Sequence, residues 1–254
     1  MDDVMANDTR TALVTGGSRG IGAAIARALA AEGYRVVVHY GSSSQAAEEV
    51  LGSLDGEGHL LVQADLRSAD QVREAVDAAA EHLGRIDVLV NNAGVFFSHP
   101  VDETSYEEWK RAWEETIAVN LTGPANVTWC AVRHMGRGGR VINIGSRGAF
   151  RGEPHSPAYG ATKAGIAAFG QSLAKYLGGR GIAVTTIAPG FVDTEMATEA
   201  MEGEGGEIRR AESPFGRIAT AEEIAAAVVY LASADAEWAS GGILDMNGAS
   251  YLRM

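Results

Sequence analysis

The stretch from Thr11 to Ala31 constrains the chain more than any other. Thr11-Ala12-Leu13-Val14-Thr15 is a short apolar and β-branched run of the kind that forms a buried strand. It runs directly into Gly16-Gly17-Ser18-Arg19-Gly20-Ile21-Gly22 and then into the alanine-rich stretch Ala23 to Ala31, which favours helix. Strand, glycine loop and helix in that order let a diphosphate approach the backbone. The glycines permit the tight turn, and the new helix offers free N–H groups and the positive end of its dipole. A plain βα turn has the same local look, so the rest of the chain must decide between the two.

Beyond this stretch the chain keeps alternating. Gly33 stops the first helix, and Val36-Val37-Val38-His39 reads as a second strand. A helix is expected from Gln45 to Leu54, then a third strand from Leu60 to Ala64 that ends at Asp65. Ser68 caps the next helix, with Gln71 at the capping-box position. Ile86 to Val90 is a fourth strand running into Asn91-Asn92-Ala93-Gly94. A long helical region from about Ser105 to Met135 is interrupted near Asn120-Leu121-Thr122-Gly123-Pro124, where glycine and proline predict a kink. Val141 to Ile144 leads as a strand to Gly145-Ser146, and Pro157 opens a helix that carries Tyr159 and Lys163 to about Leu177. A strand from Ala183 to Ala188 ends at Pro189-Gly190. Thr220 and Glu223 cap a last helix, and Ile243 to Met246 closes as a strand. With no repeat and no linker, this alternation predicts one α/β domain over 9–254, a doubly wound parallel sheet with helices on both faces. Residues 1–8 are expected to be disordered. The polar, glycine-broken segment 195–213 reads either as a substrate lid or as a surface loop.

Charge and composition exclude several classes. A net charge of −12 opposes nucleic acid and disfavours acidic partners. Apolar stretches such as Ile224 to Ala232 are too short to span a membrane, and the acidic start lacks the features of a signal peptide, so a cytoplasmic protein is expected. Cys130 is the only cysteine, which excludes an intramolecular disulfide, and no metal site is expected. In its sequence context Cys130 reads as a buried helical thiol.

The reactive groups cluster around Tyr159. Tyr159 and Lys163 are four residues apart and share a helical face, with Ser146 thirteen residues upstream. A cation beside the phenol is expected to lower its pKa from about 10. Tyr159 could then donate a proton to a carbonyl oxygen, or take one from an alcohol, while Ser146 holds the same oxygen. Asn120, at the helix break, could bind an ordered water. After the second strand, Tyr40-Gly41-Ser42-Ser43-Ser44 offers no acid before Glu48. An acid there would hold the adenosine ribose diol of NAD and repel a 2′-phosphate. With Arg19 and these hydroxyls in its place, NADP(H) is favoured over NAD(H), unless Arg19 is only a solvated loop charge.

Taken together, Thr15-Gly16-x-x-x-Gly20-x-Gly22, Asp65, Asn91-Asn92-Ala93-Gly94, Asn120, Ser146, Tyr159-x-x-x-Lys163 and Pro189-Gly190 resemble the short-chain dehydrogenase/reductase family from Thr11 to about Tyr251. The resemblance implies a seven-stranded Rossmann sheet with the site beyond the carboxyl ends of the strands. It implies that Tyr159 is the general acid/base, that Lys163 lowers its pKa and bonds the nicotinamide ribose, that Ser146 orients the carbonyl, and that Asn120 holds a relay water. Gly16, Ser18, Arg19, Gly20, Ile21 and Gly22 would take the diphosphate and adenosine side, with Tyr40 and Ser42 beside them. Asp65 and Leu66 would meet the adenine, and Asn92, Ala93 and Gly94 the neighbouring ribose. Pro189, Gly190, Val192 and Thr194 would cradle the nicotinamide.

Within the family the chain looks most like the 3-oxoacyl-[acyl-carrier-protein] reductase branch, which implies a thioester substrate. Arg137 and Arg180, nine residues before Ser146 and twenty-one after Tyr159, match positions that contact the acidic carrier in that branch. Relatives that act on sugars, steroids or other small carbonyls carry basic residues there too, so those substrates stay open. His155 is either a substrate contact or an exposed loop histidine. A small-residue stripe on the Tyr159 helix (Ala161, Gly165, Ala168, Ser172), with Trp109 and Trp113 before it, matches faces that relatives pair between subunits, implying a homotetramer. From another class, a catalytically silent NADP-sensing regulator is the rival; a purely structural oligomer would leave the glycine loop without a purpose.

Overall fold

A computed structural model describes residues 9–195 and 203–253; the segment expected to be disordered, 1–8, and part of the expected lid, 196–202, lie outside them. Seven strands form one sheet: β1 (Thr11–Val14), β2 (Arg35–Tyr40), β3 (Leu60–Gln63), β4 (Val88–Asn91), β5 (Arg140–Ile144), β6 (Ala183–Pro189) and β7 (Ile243–Met246). Their order is β3-β2-β1-β4-β5-β6-β7, and all six pairings are parallel. β1 therefore has β2 on one side and β4 on the other, and the winding reverses there. In an open α/β sheet such a reversal leaves a crevice at the carboxyl ends of the strands.

The strands are apolar because both faces are covered. Period-two alternation divides them between two cores. Ala12, Val14, Val36, Val38 and Ile142 pack on one face against α1 (Gly20–Ala31) and α9 (Ala221–Ala232). Leu13, Val37, Leu89, Val141 and Val184 face the other way, toward α3 (Ala69–Leu83), α5 (Gly123–Ala131) and the end of α7 (Pro157–Leu177). Cys130 lies in this second core, where burial pushes its thiol pKa up. Each such side chain contributes roughly 1.5–3 kcal/mol by burial.

The helix signals in the sequence act as hydrogen-bonded caps. Thr220 and Glu223 form a full capping box on α9, and Ser105 and Glu108 form one on α4 (Tyr106–Ile117). At α3 the box is only half made. Ser68 accepts from Gln71 N–H, but the Gln71 amide oxygen accepts from Asp65 N–H at 2.9 Å and ties down the exit of β3 instead. The helix expected over 45–54 is α2 (Ser44–Leu51), closed by the bonds of Gly52 N–H, and the long helical region ends at Ala131. Its interruption is a π turn, Ala118–Thr122, rather than a proline kink, with Pro124 in the first turn of α5. Within 195–213, residues Gly203–Ala211 form α8; a single helical turn, α6 (Gly148–Arg151), follows β5.

Arg140 joins the start of β5 to the end of α9. Its buried side chain donates to the carbonyls of Gly138, Gly139 and Ser233 at 3.0, 3.0 and 3.1 Å, with Glu237 beside it. Arg140→Ala would take a donor from three carbonyls, of which Gly139 keeps the N–H of Ala183. The expected loss is about 2–4 kcal/mol of unfolding free energy at unchanged urea m-value; a loss under about 0.5 kcal/mol would show that water replaces the guanidinium.

Candidate active site

The glycine loop is held against the exit of β4 by a knot of hydrogen bonds. Thr15 Oγ accepts from the N–H groups of Asn92 and Ala93 at 3.0 and 3.2 Å, and the Asn92 amide donates to the carbonyls of Thr15 and Gly16, both at 3.0 Å. Gly16 has φ +61°, and a Cβ there would lie 2.8 Å from Ala93 Cα. A Cβ on Gly22 would collide with the Gly16 carbonyl and lie 2.5 Å from Asn92 Nδ2. Only glycine fits either position. The resemblance assigns Asn92 to a ribose; in the structure its side-chain amide bonds the loop carbonyls while the residue lines the cleft.

A cleft of about 1540 Å³ opens over this loop at the carboxyl ends of the strands. It is lined by Gly16, Ser18, Arg19, Gly20, Ile21 and Gly22, by Ser42, Asp65 and Leu66, and by Asn92, Ala93 and Gly94. Ser146, Tyr159, Lys163, Pro189, Gly190, Val192 and Thr194 complete the set of expected residues that it gathers. Tyr40 is not among the lining residues, because β2 alternates and turns His39 to the cleft in its place. The glycine cradle, free of side chains at the start of α1, fits the diphosphate of a dinucleotide. At the adenosine end the Arg19 guanidinium donates to Ser43 Oγ at 2.9 Å and meets Glu195 at 3.2 Å. Asp65 is held well below the usual carboxylate range by hydrogen bonds from Arg67.

At the other end lie the reactive groups. Ser146 Oγ accepts from Gly148 N–H at 3.0 Å and lies beside the Tyr159 phenol, whose pKa its hydroxyl pulls down. Lys163 Nζ donates to the Ile144 carbonyl at 2.8 Å and sits 5.5 Å from the centre of the Tyr159 ring. The expected lowering of the phenol pKa is absent. Burial pushes Tyr159 up to about 12 against the lowering bond from Ser146, and burial alone takes Lys163 down to about 8. The ammonium is aimed at a carbonyl and stands over the ring, so desolvation outweighs attraction for both groups.

Asn120 stands behind these groups and does not line the cleft. Its Oδ1 accepts from Val95 N–H at 2.8 Å and its Nδ2 donates to the Val95 carbonyl at 2.9 Å, so each side-chain atom is already bonded once to the main chain. Pro124 has no N–H to give the Asn120 carbonyl four residues earlier, so that oxygen lacks its ordinary helical donor.

Three histidine and arginine roles are legible only in three dimensions. Nε2 of buried His39 donates to the Ala64 carbonyl, leaving Nδ1 to accept from Gly16 N–H at 3.2 Å, and burial lowers its pKa. Nδ1 of buried His99 donates to the Phe97 carbonyl, and its Nε2 accepts from Ala158 N–H at 3.2 Å, at the start of the helix that carries Tyr159. Trp109, stacked edge-on against His99, is engaged within the subunit, as is its neighbour Trp113. Arg147, next to Ser146, is buried and binds Glu212 and Ser250. Arg151 reaches the same Glu212 at 3.1 Å, linking the serine loop to the end of α8. His155 is exposed but lines the cleft. Arg137 and Arg180 do not: they precede β5 and β6, at the amino ends of the strands, where Arg180 donates to the carbonyls of Val132 and Met135.

The Lys163 shift has a measurable sign. Below pH 8 folded and unfolded chains both hold the proton, and the folded chain carries the cost of a buried ammonium. Between about 8 and the ordinary 10.5 only the unfolded chain holds it, so stability rises with pH across that window. Lys163→Met should therefore be more stable than the parent at pH 7, by up to about 3 kcal/mol less the lost Ile144 bond, with the gap closing toward pH 10.5. A less stable variant at pH 7 would show that the ammonium is not penalised.

Comparison with known proteins agrees with the geometry. Residues 16–248 match a family described as enoyl-(acyl carrier protein) reductase. The 3-oxoacyl-[acyl-carrier-protein] reductase of Escherichia coli is 38% identical over 247 residues, covering 96% of this chain and 98% of that protein. D-threitol dehydrogenase of Mycolicibacterium smegmatis is 38% identical over 250 residues, covering 97% and 94%. A short-chain dehydrogenase from Burkholderia cenocepacia, solved in complex with NADP, superposes with a TM-score of 0.85 at 35% identity, covering 95% of this chain and 97% of that one. Among the described residues no cluster of His, Cys, Asp and Glu suits a metal, and no helix is long and apolar enough to cross a membrane. The chain is an oxidoreductase of the short-chain dehydrogenase/reductase family, with the single seven-stranded parallel sheet of that family.

Proposed function

We propose that the chain is an NADP(H)-dependent carbonyl reductase, a reading carried by the convergence of Ser146, Tyr159 and Lys163 at one end of a cleft whose other end is a glycine cradle flanked by Arg19. A bound reduced nicotinamide supplies a hydride to the carbonyl carbon. Tyr159 gives its proton to the carbonyl oxygen, Ser146 turns its hydroxyl from the phenol to the same oxygen, and buried Lys163 stands ready to return a proton toward the phenol. Tyr159→Phe should lower kcat by about 10²-fold or more while NADPH affinity is kept. Retention of full turnover would remove the phenol from the mechanism, and NADPH binding without turnover of any carbonyl by the parent would favour the silent regulator.

The preference for NADP(H) rests on the exit of β2, where Gly41, Ser42 and Ser43 offer no carboxylate and Arg19 stands across from Ser43. Its contact with Glu195 joins two side chains 54% and 74% exposed, a pairing worth only about 0–1 kcal/mol, so the guanidinium can turn to a phosphate at little cost. Arg19→Ala should weaken NADPH by about tenfold or more and NADH far less. Equal losses would assign the charge elsewhere.

For the substrate, the cleft beside Tyr159 favours a compact polar carbonyl: Arg151, Glu153, Arg209 and Glu212 line it along with Phe96, Phe191 and Ile208. Activity of a 38% identical relative named for D-threitol supports that reading. A 3-oxoacyl thioester is the second reading, supported by the relatives named for it. Docking of its carrier would need Arg137 and Arg180, at the far ends of β5 and β6, to border the cleft of another copy. The exposed stripe Ala161, Ala168 and Ser172 supports a homotetramer that could supply one. Sedimentation alone and with acyl carrier protein tests both: a monomer would sink the assembly, and an unchanged tetramer the docking.

A further inference from the structure

Six residues before Tyr159, Glu153 occupies a place in the cleft for which carbonyl reduction by Ser146, Tyr159 and Lys163 has no use. Its side chain lies over Gly148, where a Cβ would fall 2.7 Å from Glu153 Cγ and 2.9 Å from Cδ and would overlap Oε1. It also lies against Gly160, the residue after the reactive tyrosine, at 3.5 Å from a Cβ built there. Gly148 thus leaves room for a carboxylate near the phenol, close enough for its charge to raise the Tyr159 pKa.

Three other carboxylates that line the cleft are bonded by arginines. Asp65 is bonded by Arg67, Glu195 by Arg19, and Glu212 by both Arg147 and Arg151. Burial pushes Glu212 up, but those two arginines more than reverse the effect. Among the described residues none donates a hydrogen bond to the Glu153 carboxylate, although Ser156 N–H bonds its main-chain carbonyl. Burial pushes its pKa up, and the charges of Arg151, Arg147 and His155 pull it down only in part, with Glu212 opposing them. A half-buried carboxylate without a protein donor is disfavoured in its charged form, and a donor brought to it offsets that cost.

We infer that Glu153 is a substrate-recognition residue, whose carboxylate accepts a hydrogen bond from a hydroxyl carried near the reacting carbonyl. The nearby Arg147 and Arg151, and Arg209 across the cleft on α8, oppose a cationic donor, so the class is a neutral or anionic hydroxyketone rather than an aminoketone. An apolar acyl chain at this point would leave the carboxylate unpaired and is disfavoured for the same reason. The inference rests on the carbonyl-reductase reading and deepens it.

The test compares matched ketones with NADPH: 1-hydroxy-2-butanone and 4-hydroxy-2-butanone against 2-butanone. Glu153→Leu removes the acceptor, and Glu153→Gln keeps the shape and part of the hydrogen bonding. The parent should favour at least one hydroxyketone by about tenfold or more in kcat/KM. Glu153→Leu should bring that ratio near one, Glu153→Gln should fall between, and the KM for NADPH should stay the same in all three. The thermal shift that each ketone adds to the NADPH-loaded protein should follow the same order, giving a readout independent of turnover. A ratio unchanged in Glu153→Leu, or a parent blind to the hydroxyl in both measurements, overturns the role of Glu153. NADPH fluorescence recorded before any ketone is added separates the two levels: if NADPH does not bind, the reductase reading falls and takes this role with it.

Discussion

The hydrogen bonds between Thr15 and Asn92 hold the two halves of the site together. A parallel sheet covered on both faces has one place to put polar function, at the carboxyl ends of its strands, and the reversal of winding between β2 and β4 opens it there. At that point a single hydroxyl accepts two backbone N–H groups, and a single amide donates to two carbonyls. The glycine loop is thereby fixed against the Asn92-Ala93-Gly94 turn. The far side of that turn meets Asn120, whose amide brackets Val95, and a Cβ on Gly94 would lie 3.6 Å from Lys163 Nζ. One continuous set of contacts thus runs from the diphosphate cradle to the reactive lysine.

Burial, more than charge, sets the behaviour of the reactive pair. Two groups of opposite tendency taken out of water both retreat toward their neutral forms, Tyr159 by keeping its proton and Lys163 by losing one more easily. The strain belongs to function: a surface lysine and tyrosine would be more stable and less useful. A nicotinamide cofactor held beside Tyr159 and Lys163 would change the charge around both groups, which is the kind of change that a lower phenol pKa requires.

Much of this was legible in the sequence, for identifiable reasons. The glycine loop, the alternation of strands and helices, and the spacing of Ser146, Tyr159 and Lys163 depend on local backbone chemistry that residue order records. The capping boxes at Ser105 and Thr220 are of the same kind, although only the second was expected. Tyr40 was misplaced through a neglected period of two: in β2 the residue facing the cleft is His39, and alternation carried one residue further would have found it. His99, Arg147 and Glu153 gave no such signal, because each acquires its meaning from partners as remote as Ala158, Ser250 and Gly160. The sign of the Tyr159 shift is not legible in the sequence, because spacing reports that a cation is near and not how far burial desolvates the two groups.

The most direct test of this account is the titration of the Tyr159 phenol itself, followed by ¹³C NMR with labelled tyrosine in the cofactor-free protein and again with saturating NADP⁺, using Tyr159→Phe to assign the signal. The account predicts that the phenol of the free protein does not ionise until about pH 12 and that its pKa falls when the cofactor binds. A free-protein phenol that already titrates below its ordinary value of 10 would show that Lys163, and not burial, governs the site.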